Sequence, residues 1–318
     1  MHILITGASG FIGQELATAL VAKDLSVRLT LTDICEPAKP AIAAQASIDT
    51  LGLDLTSREK VESLLSTRYD LIYLLHGIMS GGAEANLDFG LKVNVDSFRN
   101  ILDTLRMRYP GTQVIFPSSL AVYGPTSEGE VVSETTCPMP QSSYGAEKLI
   151  VETLLNDYSR RGLIDGRIAR LPTVIVRPGK PSAAASSFAS GIVRESLKGE
   201  KNVLPVEEDL EMWICSPQVV VENLVKLRDV PKEKLGSHRT VCLPGQTVTV
   251  GQILDALEAV GGRKARDLVE KKKDAENERI VKSWPARFDT TRAKDLGLRE
   301  DISLTKIVET FAATLSKS

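Results

Sequence analysis

The chain has 318 residues, of which 42% are hydrophobic and 25% are charged, and these values are typical of a globular protein with a substantial core. Its formal net charge of -2 excludes a broadly basic surface for nucleic acid or anionic lipid, so the expected partners are small molecules or other protein chains. The 4 cysteines and 3 histidines are scattered without a CxxC pair, which leaves no local zinc-binding pattern.

The first segment, MHILITG, reads as a buried strand and leaves no room for the charged and apolar regions of a signal peptide. No run approaches the roughly 18 apolar residues that span a bilayer. We therefore expect a cytosolic protein with no membrane partner, whose cysteines are free thiols.

Short apolar runs alternate with longer amphipathic stretches through the first half of the chain. The predicted strands are residues 2–6, 26–32, 71–75, 113–116 and 166–168, and the predicted helices are residues 11–22, 57–65, 86–108 and 143–161. This alternation predicts an α/β fold with a Rossmann-like, doubly wound parallel sheet covered by helices on both faces.

After about residue 170 the composition shifts toward Pro, Gly, Ser and Ala. Further helices are predicted at 186–198, within WICSPQVVVENLVKL and at 303–315, and a strand is predicted at 240–243. We expect residues 1–170 to form a Rossmann domain to which 211–243 return, and residues 171–210 and 244–318 to form a smaller α/β substrate-binding region.

The segment TGASGFIG joins the first strand to the first helix, where a dinucleotide-binding fold places its turn. Gly7 permits the tight turn, Gly10 lets the backbone approach a pyrophosphate, and Gly13 allows close packing of helix and sheet. Phe11 and Ile12 begin the helix, whose N-terminus supplies N–H groups and a partial positive charge. We predict that all five residues contact the cofactor.

Asp33 stands at the end of the second strand, 20 residues after Gly13, where a carboxylate can accept hydrogen bonds from ribose hydroxyls. A carboxylate would repel the 2′-phosphate of NADP, and no Arg or Lys follows until Lys39. The Rossmann domain is therefore predicted to bind NAD.

Three further positions are predicted to contact the cofactor. Leu75 ends the predicted strand 71–75, and Asp54 and Leu55 in GLDLT are placed to flank the adenine. Asp54 could instead cap the next helix, a role for which Thr56 and Ser57 also compete.

The segment SSYGAEKLIVETLL places Tyr144 and Lys148 on one face of a helix. An ammonium about 4 Å from the phenol would lower the tyrosine pKa by up to roughly three units and make it a usable base. An interfacial tyrosine beside a snorkelling lysine is the alternative. Ser119, which follows the strand QVIFP, could hold a substrate oxygen against Tyr144 because ligands bind beyond the carboxyl ends of parallel strands.

TGASGFIG, Asp33, Asn94 in KVNVDS, SSLAVYG and YGAEK together resemble the extended short-chain dehydrogenase/reductase family, the NAD-dependent epimerase/dehydratase group, over nearly the whole chain. The resemblance implies that Tyr144 accepts the proton, that Lys148 lowers its pKa and holds the nicotinamide ribose, and that Ser119 orients the substrate oxygen. It places Asn94 beside the cofactor site, although Asn94 could equally be a buried helix residue with a satisfied amide.

The residues around the substrate indicate which reaction to expect. Leu120 and Ala121 replace the Asp-Glu pair of family dehydratases, and RLPTVIVRPGKPSAAASSF departs from the motif of nucleotide-sugar enzymes. That stretch, with IMSGGAEANLDFG and WICSP, resembles the D-erythronate dehydrogenase subgroup, which acts on small sugar acids. The resemblance implies that Ser80 contacts the substrate, unless it is a plain turn serine. Arg177 could clamp a carboxylate, or it could be a surface or phosphate-facing arginine.

The expected function is NAD-dependent oxidation of a secondary alcohol on a small sugar acid, with conversion of D-erythronate to its 2-keto acid as the leading reaction. The alternatives are a nucleotide-sugar epimerase of the same family and a non-catalytic dinucleotide sensor, which the intact Tyr144 and Lys148 pair disfavours. Family members dimerise through the helices predicted at 86–108 and 143–161, so a homodimer is also expected.

Overall fold

The computed structural model describes residues 1–41, 46–127 and 129–315, so positions 42–45, 128 and 316–318 of the predicted domain ranges lie outside the described residues. The strands are β1 (His2–Thr6), β2 (Arg28–Asp33), β3 (Ser47–Gly52), β4 (Leu71–Leu74), β5 (Gln113–Ser119), β6 (Asp165–Leu171), β7 (Thr173–Val174), β8 (Asn202–Leu204), β9 (Glu211–Cys215), β10 (Thr240–Cys242), β11 (Gln246–Thr249) and β12 (Val269–Lys271).

The α-helices alternate with these strands in the first half of the chain and dominate its last third. They are α1 (Phe11–Lys23), α2 (Arg58–Leu64), α3 (Ser80–Ala85), α4 (Leu87–Leu91), α5 (Ser97–Arg108), α6 (Ser143–Arg160), α7 (Ser187–Leu197), α8 (Pro217–Asp229), α9 (Lys232–Leu235), α10 (Val250–Arg266), α11 (Ala275–Lys282), α12 (Thr291–Asp295) and α13 (Leu304–Leu315).

A seven-stranded sheet with the order β10-β6-β5-β4-β1-β2-β3 forms the centre of the molecule, and all its strand pairs are parallel. Successive side chains point to opposite faces, so Ile3 and Ile5 pack with α1 and α8, whereas Leu4 packs with α2, α5 and α6. Burial on both faces explains why the strands are continuous apolar runs. The predicted Rossmann-like α/β fold is confirmed.

A second core lies beside this sheet. Strands β11, β9 and β7 form a three-stranded sheet, and β12 pairs with β8 in a two-stranded one. Helices α7, α10 and α13 pack their apolar faces into this core, to which Ile175 and Val176 also contribute. The chain segment after β7 is thereby fixed between the two cores.

Three local expectations differ from the structure. The predicted helix 86–108 is α4, a π-helical turn at Lys92–Asp96 and α5, and the side chain of Asn94 in that turn bonds outside its own helix. Strand β3 was missed because its sequence SIDTLG is largely polar and half exposed. The return of the chain to the large sheet begins at Pro217 rather than at residue 211, since 211–215 form β9 of the small sheet.

Helix α8 begins where it does for a local reason. Ser216 caps it by accepting a hydrogen bond from Val219 N at 3.2 Å, and Pro217 occupies its first turn, where a missing N–H does no harm. Across the described part of the chain, no helix combines the length and the apolar character needed to cross a membrane.

Candidate active site

A cavity of about 400 Å³ opens at the carboxyl ends of β1, β5 and β6, between the N-termini of α1 and α6. Eleven of the predicted site residues line it: Gly7, Gly10, Phe11, Ile12, Gly13, Leu75, Ser80, Ser119, Tyr144, Lys148 and Arg177. Four predicted residues lie outside its lining: Asp33, Asp54, Leu55 and Asn94. The structure therefore brings both predicted catalytic and predicted substrate residues to one cavity.

The glycine-rich turn has the geometry that a dinucleotide requires. Gly7 has a φ of +67°, and a Cβ there would lie 2.5 Å from His76 N. A Cβ on Gly13 would lie 2.7 Å from Gly7 O. Gly10 precedes α1 and has no side chain with which to cap the helix N-terminus. These residues fit a pyrophosphate held against the backbone.

Asp33 is fixed beside this turn, although it does not line the cavity. Its carboxylate accepts hydrogen bonds from Ser9 N at 3.0 Å and from Ile34 N at 2.7 Å. Because Ser9 belongs to the glycine-rich turn, the carboxylate lies next to the place where the adenosine half of a dinucleotide would extend.

Replacing Asp33 with serine is expected to weaken NADH binding by about tenfold, because the acceptors for the ribose hydroxyls are lost. The preference for NADH over NADPH should also become smaller, because the charge that repels the 2′-phosphate is lost. Fluorescence titration with NADH and NADPH measures both effects. Asp49→Ser, which removes an exposed carboxylate on the adjacent strand β3, is the control. Unchanged affinities in Asp33→Ser would remove Asp33 from the cofactor site.

Asp54 and Leu55 have structural roles in the present geometry. Asp54 Oδ1 accepts hydrogen bonds from Thr56 N at 3.0 Å and Thr56 Oγ1 at 2.8 Å, and these bonds lower its pKa. The cap of α2 is Ser57, whose Oγ accepts from Lys60 N. The side chain of Leu55 is buried in the core beneath α2. Their contact with adenine stays a prediction.

Helix α6 presents Tyr144 and Lys148 to the cavity from its first turns. Ser142 caps the helix by accepting from Gly145 N at 3.2 Å. Lys148 is only 6% exposed, and its Nζ donates to Pro117 O at 3.0 Å and lies 5.5 Å from the centroid of the Tyr144 ring. Ser119 Oγ accepts from Ala121 N at 3.1 Å at the end of β5. The three predicted catalytic side chains thus line the same cavity.

The electrostatic prediction for this pair is wrong in one respect. Burial raises the pKa of Tyr144 to about 12, Arg177 lowers it, and Glu147 raises it further. Burial also lowers the pKa of Lys148 to about 8, against the opposing effects of Glu152 and Glu147. Arg177 is the cation that lowers the pKa of Tyr144, and the Lys148 ammonium donates to the Pro117 carbonyl.

The charged side chains that line the cavity are all basic. They are Lys148, Arg177, Lys180 and Arg194, and no Asp or Glu among the described residues lines the same cavity. Arg194 is paired with Glu195, whereas the Arg177 guanidinium makes no hydrogen bond or ion pair with any described residue. A half-buried, unpaired guanidinium in a basic cavity favours an anionic ligand.

Ser80 and Asn94 form hydrogen bonds that join the segments around the cavity. Ser80 Oγ accepts from Ala185 N at 3.0 Å and so joins α3 to the segment that follows β7. The amide of Asn94 bonds to both backbone groups of Ile78 and to Glu147, as expected for a buried asparagine with a satisfied amide.

Sequence reasoning missed Trp284, which follows α11 and lines the cavity. The other tryptophan, Trp213, packs on Phe288 with ring centroids 5.2 Å apart. No local pattern distinguishes the two residues, because the packing of the C-terminal segment onto the cavity decides which one lines it.

A model of the NAD-dependent epimerase/dehydratase family matches residues 3–214 of this chain. The chain is 40% identical over 320 residues to D-erythronate dehydrogenase of Cupriavidus necator, covering 98% of each protein. It is 39% identical to D-erythronate dehydrogenase of Haemophilus influenzae, again over 98% of each. Among solved structures, the nucleoside-diphosphate-sugar epimerase from Agrobacterium tumefaciens is similar with a TM-score of 0.92 and 38% identity, over 100% of this chain and 95% of that one.

Proposed function

This chain belongs to the NAD-dependent epimerase/dehydratase family as an NAD-dependent dehydrogenase of the extended short-chain type, and we propose that its substrate is a small sugar acid, D-erythronate. The family and the cofactor predicted from the sequence are confirmed. The unpaired guanidinium of Arg177 in an otherwise basic cavity is the observation on which the choice of an acid substrate rests. Relatives named D-erythronate dehydrogenase support the same choice.

In this proposal one region of the chain binds the cofactor and the other binds the substrate. Residues 1–170, with 217–243, hold NAD through the glycine-rich turn and Asp33. Residues 171–210 and 244–318 supply the substrate wall, which includes Arg177 and Trp284. Lys148 holds the nicotinamide ribose with hydrogen-bond donors of its ammonium.

The reaction begins with the substrate carboxylate bound to Arg177 by two parallel hydrogen bonds. The hydroxyl on the adjacent carbon then lies against Tyr144, whose phenolate takes the hydroxyl proton. When bound, NAD supplies the acceptor for the hydride that leaves the same carbon with its bonding electrons. Ser119 and the protonated Tyr144 stabilise the carbonyl oxygen of the 2-keto acid as it forms.

Steady formation of NADH with D-erythronate tests this proposal. Four- and five-carbon aldonates are offered with NAD, alongside UDP-sugars, and NADH absorbance is followed while sugar products are separated by chromatography. We expect turnover of D-erythronate and none of the UDP-sugars. Epimerisation of a UDP-sugar without net NADH, and no reaction with any aldonate, would favour the activity named for the Agrobacterium tumefaciens structure.

We also propose that the chain forms a homodimer through α4, α5 and α6. Leu87, Phe89, Met107 and Ile150 on these helices are large apolar residues that are at least 42% exposed. Sedimentation velocity of the wild type should show a dimer, and Phe89→Glu with Ile150→Glu should shift it to a monomer. A monomeric wild type would exclude this interface.

A further inference from the structure

Glu147 lies between Tyr144 and Lys148 on α6 and is only 1% exposed. Its Oε2 accepts a hydrogen bond from Asn94 Nδ2 at 2.7 Å, while its Oε1 is buried with no hydrogen-bond partner among the described residues. Burying a carboxylate without a paired cation lowers the stability of the fold. The presence of Glu147 between these helices therefore suggests that the residue has a function that outweighs this cost.

The partner of Glu147 holds a short segment of backbone. Asn94 Oδ1 accepts from Ile78 N at 2.9 Å, and Asn94 Nδ2 donates to Ile78 O at 3.0 Å as well as to Glu147. Both hydrogens of the Asn94 amide are thereby used, and Glu147 fixes the orientation of that amide. Met79 and Ser80, which follow Ile78 directly, line the cavity.

The surroundings of Glu147 are shaped to accept it. On α4, a Cβ at Gly90 would overlap Glu147 Oε1, so only glycine leaves room for the carboxylate. The charged groups that act on Glu147 are Lys148 on its own helix and Glu84 on α3. Glu84 is itself engaged, because its Oε2 accepts from Ser143 N at 2.9 Å. Burial raises the pKa of Glu147, in keeping with a carboxyl group retained at a cost.

We propose that Glu147 is a positioning residue that acts through Asn94 to hold the backbone of Ile78, and with it the cavity wall at Met79 and Ser80, against the helix that carries Tyr144 and Lys148. The inference rests on the proposed dehydrogenase site but not on the identity of the substrate. Removing the acceptor leaves one hydrogen of the buried Asn94 amide unpaired, and the amide then turns away from Ile78.

Amide hydrogen exchange of the peptide that contains Ile78, read by mass spectrometry on the substrate-free chain, tests the proposal. Glu147→Met keeps the length of the side chain but removes both oxygens, and it should speed exchange at Ile78 by about tenfold. Glu147→Gln keeps an acceptor for Asn94 and should restore slow exchange. NADH affinity should follow the same order, with a loss of about threefold to tenfold in Glu147→Met.

Ser159→Ala is the matched control, since Ser159 is also a buried polar residue of α6, and its Oγ bonds to Gly166 N at 3.0 Å, far from Ile78. It should leave exchange at Ile78 unchanged. If Glu147→Met fails to fold, Gly90→Ala displaces the carboxylate without altering residue 147 and should also speed exchange. Slow exchange at Ile78 in both folded variants would overturn the proposal, whatever the outcome of the substrate screen.

Discussion

Tyr144→Phe is expected to lower kcat by about 10³-fold and to leave NADH affinity within a factor of about two. The change removes only the phenolic oxygen, which is the proposed proton acceptor and makes no hydrogen bond with another described residue. Steady-state NADH formation gives kcat, and fluorescence titration gives the affinity of the cofactor.

Tyr158→Phe provides the control on the same helix. The Tyr158 hydroxyl donates to Asp103 Oδ1 at 2.7 Å and lies outside the cavity. Its loss should leave kcat nearly unchanged, with a small loss of stability of about 1 kcal/mol. Equal rates in Tyr144→Phe and wild type would show that another group takes the proton.

Arg177→Met is expected to lower kcat/KM for a sugar acid by about 10³-fold, because the substrate carboxylate loses its paired hydrogen bonds in a desolvated cavity. Arg177→Lys should recover part of this loss, since an ammonium restores the charge without the planar pair of donors. Steady-state kinetics with D-erythronate and with a neutral polyol measure the effect. An equal loss of kcat/KM for both substrates would contradict the proposal that Arg177 binds the substrate carboxylate.

The dependence of kcat on pH should shift in a defined direction in Arg177→Met. A cation beside a phenol favours the phenolate, and Arg177 lowers the pKa of Tyr144, which burial raises to about 12. Without Arg177 that pKa rises further, so less phenolate is present at any given pH. The rising limb of kcat against pH should therefore move to higher pH in Arg177→Met and remain near the wild-type position in Arg177→Lys. A limb that moves to lower pH would remove Arg177 from the control of Tyr144.

The sequence identified those site residues whose role depends on a local pattern. Gly7 and Ser119 each stand at the carboxyl end of a strand, and the carboxyl ends of parallel strands meet at one edge of the sheet. Tyr144 was found from its spacing to Lys148 in the first turns of a helix. Arg177 was found because its segment resembles that of a subgroup that acts on small sugar acids. The topology of the large sheet brings Gly7 and Ser119 together, so its strand order predicts that these two residues share a cavity.

Other features depend on packing that spacing does not reveal. Helical periodicity made Lys148 and Tyr144 neighbours, but it could not show that the lysine Nζ points at Pro117 O or that burial would dominate both pKa values. Leu55 was predicted to flank the adenine, and spacing could not show that its side chain packs in the core beneath α2. Trp284 reaches the cavity only because the second core holds the C-terminal segment against it.

The strand β10 pairs with β6, so the last strand of the large sheet comes from beyond residue 230. Helix α8 supplies further backbone acceptors to the sheet, since Tyr73 OH donates to Leu224 O at 3.3 Å and Arg167 Nη1 donates to Arg228 O at 2.8 Å. A fragment that ends at residue 170 would therefore have unpaired backbone N–H and C=O groups along the edge of β6 and an uncovered apolar face of the sheet. Such a polypeptide would self-associate. An engineered protein that reuses the nucleotide-binding half must therefore also contain the later segments that pair with its sheet or cover it.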